Sequence, residues 1–182
     1  MDKIEVVVLT PENKIEFTEK LTLAALDYFD CRTVDELPDN YGRKYPWSLL
    51  SFIDNDQLDI YQMLYVNDQV WCCAGGIHRV HNGKKVYQGG FRWFSNAEKI
   101  CKGLGSIKSY SHKYLIAHHL ERAKEQGFEE FILSFNDYNY RMFQSIRKYH
   151  LRKVLPDVNF EPSTEMVMFN NTPQWLLTVK LK

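Results

Sequence analysis

Residues 108–149 constrain the fold most, because they run from a polar, Ser-bearing loop through an amphipathic helix, a glycine stop, a short apolar strand, an Asn-containing turn and a second helix. At 100° per residue, His112, Ile116, His119, Leu120 and Ala123 gather on one side of the first helix, while His118, Glu121 and Glu125 point away. Such a face packs on a sheet. Gly127 directly follows Lys124, Glu125 and Gln126. A glycine just past the last periodic residue ends a helix because it enters the left-handed region without penalty. Phe131, Ile132, Leu133 and Phe135 then form a run too short for a helix and suited to a strand buried on both faces. The stretch from Asn136 to Asn139 breaks that run. Met142, Phe143, Ile146 and Tyr149 recur at helical spacing beyond it, so a second helix is expected from about Tyr138, with Arg141, Arg147 and Lys148 toward solvent. A loop, helix, strand and helix of this size fit a parallel crossover.

At 182 residues the chain can bury about 70% of its unfolded surface. One compact domain over residues 1–182 is therefore expected, without help from metal or disulfide. Lys and Arg total 23 and Asp and Glu total 23, so no global field attracts nucleic acid or polycations. The basic stretch 141–153 reads as a solvated helix face. Cys72 and Cys73 are adjacent in an expected strand and point to opposite faces, while Cys31 and Cys101 stand alone. With no C-x-x-C pair and no His at ligand spacing, no metal is expected. His119 reads as a hydrogen-bonded histidine at a helix–sheet boundary. The apolar run after Asp2 and Lys3 is far too short for a signal peptide or a membrane span. A soluble, cytoplasmic protein with no membrane or nucleic-acid partner is the expectation. Turn-forming residues concentrate in 31–47 and 156–162.

The stretch SHKYLIAHHLERAKEQGFEEFILSFNDYNYRMFQSIRKY, residues 111–149, resembles the central part of the GCN5-related N-acetyltransferases (GNAT). In that family a loop and helix bind the cofactor pyrophosphate, a strand follows, and an Asn-bearing turn opens the next helix. The resemblance extends over most of the chain. It places 4–9 on the first strand, 14–29 on the first helix, 60–66 and 70–78 on an antiparallel hairpin, and 86–94 on the central strand. Residues 165–169 and 175–181 read as two closing strands around the turn-prone Asn170, Asn171, Thr172 and Pro173. The implied fold is α/β (α+β), a central mixed, mostly antiparallel twisted sheet of six to seven strands flanked by about four helices.

The resemblance implies transfer of an acetyl group from acetyl-CoA to a primary amine, the amine attacking directly and coenzyme A leaving as thiol. Two alternatives stand beside it: a catalytically inactive member serving as a CoA-binding or protein-interaction module, and an acyltransferase using a longer acyl donor. The acceptor is a small-molecule or peptide amine. Oligomeric state is open, a homodimer included. Where the family usually has Gln or Arg, two residues, Gly, one residue, then Gly or Ala, this chain has Lys108, Ser109, Tyr110, Ser111, His112 and Lys113. Backbone N–H groups at a helix start bind anions whatever the side chains, and Ser and Lys add donors. Gly103, Leu104 and Gly105 are an alternative anchor or an ordinary loop. By resemblance, Phe91, Arg92, Trp93 and Phe94 carry the strand that pairs with the pantetheine arm, and Asn136, Asn139 and Phe143 line the cofactor. The adjacent Gly89 and Gly90 mark either a ligand approach or a kinked strand. Tyr41, Tyr45 and Trp47 are candidate acceptor contacts.

The family often places a Tyr seven residues after the turn Asn, where it protonates the departing thiolate. Counting from Asn139 reaches Ile146, flanked by Ser145 and Tyr149 as candidate acids. An alkyl amine of pKa about 10.4 must also lose a proton at neutral pH, at a cost of about 4 kcal/mol. Candidate bases are His78, His81 and His112, or a water chain to bulk solvent.

Overall fold

Two turns led by asparagine fold the first half of the chain into antiparallel strands. Asn67 and Asp68 have φ of 51° and 63°, and Asn82 and Gly83 have φ of 50° and 76°. Two consecutive residues with positive φ make the two-residue turn whose twist matches that of the strands it joins. The computed structural model describes residues 2–40, 43–44, 56–94, 110–144, 148–169 and 171–181, with side chains at all of these except 40, 43, 91–94, 142 and 148–150. The first part of the chain contains β1 (Ile4–Val8), α1 (Lys14–Phe29), the short pair β2 (Asp39–Asn40) and β3 (Arg43–Lys44), and β4 (Leu58–Val66). Then come β5 (Gln69–His81), β6 (Lys84–Phe94) and α2, a π-helical turn over Ser111–Ile116 that runs into an α-helix over Ala117–Glu125. The remainder is β7 (Glu130–Phe135), α3 (Asp137–Met142), α4 (Lys148–Val154), β8 (Glu161–Pro162), β9 (Val167–Phe169) and β10 (Thr172–Lys180).

Eight strands hydrogen-bond in the order β1-β4-β5-β6-β7-β10-β8, with β9 on β10, and β2 pairs with β3 separately. The sheet is mixed and mostly antiparallel, as expected. It exceeds the expected six to seven strands because β8 and β9 have two and three residues, too few to leave a periodic pattern. The chain divides into two compact units, Met1–Gly75 with Phe91–Lys108, and Gly76–Gly90 with Ser109–Lys182.

In the first unit, β1 runs antiparallel to β4 from the pair Ile4 and Val66 to the pair Val8 and Gln62. Lys3 closes the turn between β4 and β5: its N–H donates to Asn67 Oδ1 at 2.9 Å, and its carbonyl accepts from the Asn67 N–H at 2.9 Å. α1 has the bounds implied by the family resemblance. Phe17, Leu21 and Ala25, four residues apart, form its buried stripe. They pack with Leu37, Tyr61, Met63 and Cys73. The Tyr61 hydroxyl lies 3.1 Å from Cys73 Sγ, which gives that buried phenol a polar contact. Cys72 and Cys73 are both buried and in no disulfide, and as successive strand residues they point to opposite faces.

In the second unit, β6 runs parallel to β7, and β7 runs antiparallel to β10 from the pair Trp175 and Phe135 to the pair Lys180 and Glu130. Phe131, Ile132, Leu133 and Phe135 are all buried, as a strand covered on both faces demands. One face carries Tyr87, Phe131, Leu133, Phe135, Leu177 and Val179, packed with Ile116, Leu120 and Ala123 of α2. The other carries Val86, Ile132 and Leu176 with Phe169. The expected inward face of α2 is buried at all five positions, and Glu121 and Glu125 are exposed. Gly127 stops α2 at φ 75°, its N–H bonded to the Lys124 carbonyl at 3.0 Å. The Phe128 N–H reaches the Ala123 carbonyl at 3.0 Å, which completes a Schellman cap whose apolar contact joins Phe128 and Ala123.

Gly89 holds a second constraint. A Cβ built there would lie 2.5 Å from Phe131 Cζ and 3.5 Å from Leu133 Cδ2, so the Phe131 ring occupies the space that a side chain would need. Gly89→Ala is expected to destabilise the fold by about 1–3 kcal/mol through overpacking, lowering Tm by roughly 2–4 °C per kcal/mol in a chain of this size. Thermal denaturation of Gly89→Ala alone and with Phe131→Leu checks this. The double variant should lose clearly less than the sum of the two single losses.

Candidate functional site

The second unit brings three features of the expected site into described structure: the first turns of α2, the end of the β6–β7 pairing, and the start of α3. At the first of these, Tyr110 already has helical φ and ψ, and the Ala117 N–H donates to the His112 carbonyl. That i to i+5 bond makes Ser111–Ile116 a π-helical turn, a rare form that recurs at functional positions. Ser111 and His112 are buried, and so are Leu115 and Ile116 one turn on. Lys113 is exposed, with Nζ 5.0 Å from the centre of the Tyr114 ring. A cation and wide-turn backbone thus share the segment where the family pattern would place its glycines.

β6 and β7 pair through only four positions, from Val86 with Glu130 to Gly89 with Leu133. Within the second unit the registered pairs stop at Gly89 and Leu133, although β7 continues to Phe135. Accessibility changes at the same point. Val86 to Gly89 and Phe131 to Leu133 are buried, whereas Gly90 and Ser134 are half-buried. Gly90 has φ 139°, and a Cβ built on it meets nothing within 4 Å. Gly89 is therefore taken up by packing, whereas Gly90 meets no such neighbour among the described residues.

α3 starts immediately after β7. Asn136 has extended φ and ψ, and its Oδ1 accepts from the Asn139 N–H at 2.8 Å, so its side chain is the N-cap. Asp137 accepts from Trp175 Nε1 at 3.0 Å and pairs with Arg141 at 2.8 Å. The Tyr140 ring stacks on Trp175 with centroids 4.6 Å apart at 8°. Phe143 packs against Phe135 at 5.2 Å and is buried in the core.

Of the expected site residues, Tyr110, Ser111, His112 and Lys113 lie together in the first turns of α2, and Asn136, Asn139 and Phe143 lie at or in the helical segment that opens after β7. Phe91, Arg92, Trp93 and Phe94 have strand backbone. Tyr149 is in α4. Tyr41, Tyr45, Trp47, Gly103, Leu104, Gly105, Lys108, Ser109, Ser145, Ile146 and Arg147 lie outside the described residues, as does Cys101. The candidate bases differ in setting. His78 packs 4.9 Å from the Phe128 ring, and His81 stacks edge-on to Phe169 at 5.1 Å. His112 is buried in α2; His119, read from the sequence as a helix–sheet boundary residue and not as a base, is fully buried, its ring 6.4 Å from Tyr87. No cluster of three metal-ligating side chains occurs among the described residues.

One arrangement has no counterpart in the sequence reading. Arg79 Nε donates to Gln88 Oε1 at 2.6 Å, and Gln88 Nε2 donates to Ser134 Oγ at 2.8 Å. This chain of side chains crosses β5, β6 and β7. Gln88 is buried, and burial lowers the pKa of the Arg79 guanidinium from its ordinary value. The available signal was a Gln and a Ser set in two strands that are otherwise apolar at their buried positions.

No family model matches the sequence, and no curated protein matches it. Solved structures do. An N-acetyltransferase from Staphylococcus aureus Mu50 is 18% identical with a TM-score of 0.55, over 98% of each chain. FeeM, an N-acyl amino acid synthase from uncultured soil microbes, is 10% identical with a TM-score of 0.54, over 100% of this chain and 92% of its own. yncA from Salmonella typhimurium, whose structure includes its cofactor acetyl-CoA, is 13% identical with a TM-score of 0.51, over 98% of this chain and 94% of its own. With its mixed sheet, the parallel crossover through α2 and the four-pair contact between β6 and β7, the chain has the fold of the GCN5-related N-acetyltransferases.

Proposed function

We propose that the protein is an acyltransferase that moves an acetyl group from acetyl-CoA to the primary amine of a small-molecule or peptide acceptor. The observation that carries this reading is the parallel β6–β7 pairing that ends after four residue pairs, next to Gly90, where a built Cβ meets no described atom within 4 Å. Strand backbone beyond the last pair has N–H and C=O groups to offer a ligand, and such groups are costly to leave unsatisfied. The likeness to an N-acetyltransferase and to a structure that contains acetyl-CoA supports the same donor.

The residues present suit such a donor. Backbone N–H groups where the helix containing Ser111–Lys113 begins would favour the pyrophosphate, and the exposed ammonium of Lys113 adds a positive charge. Lys108 and Ser109 extend that segment in sequence. The amine nitrogen attacks the thioester carbonyl carbon, the C–S bond breaks, and coenzyme A leaves as thiol. His112, Ser145 and Tyr149 are the candidate proton carriers, and Tyr41, Tyr45 and Trp47 the candidate acceptor contacts. Among the described residues, no helix is long and apolar enough to cross a membrane.

A second reading, transfer of a longer acyl group, is favoured by the likeness to an N-acyl amino acid synthase. Thermal shift decides between them. A ligand at a hundred times its Kd adds about 2.7 kcal/mol, or roughly 5–10 °C here. Acetyl-CoA is expected to give that shift, whereas ATP and NAD are not. A larger shift with long-chain acyl-CoA selects the second reading. No shift with any acyl-CoA at millimolar concentration defeats both.

The start of α3 allows a separate check of Asn136. Loss of an N-cap costs about 0.5–2 kcal/mol, and Asp caps as well as Asn. Asn136→Ala is therefore expected to lower Tm and Asn136→Asp to keep it. If the amide also contacts the donor, both variants should weaken acetyl-CoA binding measured by calorimetry. Unchanged affinity in Asn136→Asp would leave the cap as its whole role.

A further inference from the structure

The hydrogen bonds across β5, β6 and β7 have only one consistent direction. A guanidinium donates and never accepts, so Gln88 must turn its Oε1 toward Arg79 Nε, 2.6 Å away. Its Nε2 then faces Ser134, and Ser134 Oγ must accept at 2.8 Å. The amide orientation thus follows from the chemistry of arginine. With its oxygen accepting, Ser134 keeps its own O–H to donate, and that proton has no acceptor among the described residues. A charged donor strengthens the bond it makes and polarises the next one along the chain. The Ser134 hydroxyl is accordingly a strengthened, oriented donor at the end of a line that begins on a cation.

Its position gives that donor a use. Ser134 follows Leu133, the last β7 residue paired with β6, and is half-buried, as is Gly90. A Cβ built on Gly90 meets no described atom within 4 Å. Backbone N–H groups past the last pair can serve the carbonyl and amide oxygens of a thioester arm, but sulfur, a weak acceptor until it becomes anionic, is better served by a polarised side-chain donor. Resting on the acyl-CoA reading above, we propose that Ser134, aligned by Gln88 and Arg79, donates a hydrogen bond to the coenzyme A sulfur and stabilises the thiolate that leaves. No proton leaves Ser134. The electron pair of the broken C–S bond settles on sulfur, and the hydroxyl hydrogen bond lowers its energy there.

Other charges on this face lie farther off. Register places Arg79 and His81 of β5, Lys84 of β6, Glu130 of β7 and Lys180 of β10 on it. Lys84 pairs with Glu130 at 3.1 Å and Lys180 with Glu161 at 3.5 Å. Glu130 lies four residues from Ser134, about 13 Å along the strand. Leu176, the β10 partner of Ser134, is apolar.

The test uses coenzyme A itself, with its bound thiol titrated by the ultraviolet absorbance of the thiolate and its Kd measured by calorimetry at a pH where the thiol is protonated. In the intact protein the bound thiol should titrate below free coenzyme A in the same buffer. Ser134→Ala should raise that value by about one pK unit, the scale of one charge-assisted hydrogen bond, and leave the low-pH Kd within about threefold. Ser134→Thr, which keeps the hydroxyl, should hold the native value, and Gln88→Leu should give an intermediate one. An unchanged thiol pKa in Ser134→Ala, or equal shifts in the Ala and Thr variants, overturns the inference while leaving the acyl-CoA reading intact. Failure of the intact protein to bind coenzyme A overturns that reading and this inference with it.

Discussion

β7 is the constraint on which the second unit depends. It takes a parallel neighbour on one edge and an antiparallel neighbour on the other, and it is apolar on both faces. A strand so placed needs a crossover to reach its parallel partner, and the crossover must bury a face on the sheet. α2 supplies that face through Ile116, Leu120 and Ala123. The π-helical turn at its start and the Schellman cap at its end then fix where its backbone groups point. The stop at Gly127 also delivers the chain into β7, because Phe128 is both the last partner of the cap and a member of the core. An error at that glycine would therefore be felt as a shift of the strand as well as a frayed helix.

The short pairing between β6 and β7 follows from side chains on both strands. Gly89 accepts the Phe131 ring across the last part of the pairing, which favours close approach there. One residue on, Gly90 adopts φ 139°, a region closed to most side chains, and the registered ladder stops. On β7, Phe135 turns into the aromatic cluster with Tyr140 and Phe143, and Asn136 ends the strand by capping the next helix. Each strand thus carries its own reason to leave the ladder.

Periodicity made most of this legible in the sequence. The inward face of α2, the stop at Gly127, the doubly buried β7 and the parallel crossover each rest on a pattern of four or more residues or on a backbone requirement met by one residue type, whereas the bounds of α1 came from the family resemblance. β8 and β9 are too short to show a period. The break after β7 was legible, but the role of Asn136 as a cap depended on which of four nearby polar residues met the freed N–H, and only geometry decides that. The glycine pair in β6 held two opposite meanings side by side. Packing resolves the first as a socket for Phe131, and the second meets no such neighbour among the described residues.

The chain of Arg79, Gln88 and Ser134 was hidden for a different reason. Its members are 9 and 46 residues apart and meet only because the strand order places β6 between β5 and β7. A buried glutamine is costly unless both ends of its amide are bonded, so Gln88 is tolerated only where a donor and an acceptor stand on opposite sides. Register places the acceptor at the first β7 position beyond the ladder, on the same face as Gln88. Moved one residue along either strand, the serine would point to the opposite face and the amide would lose its partner. The polar chain therefore ties the side-chain network to the same register that ends the backbone pairing. It holds the two strands together at the step where their main chains let go.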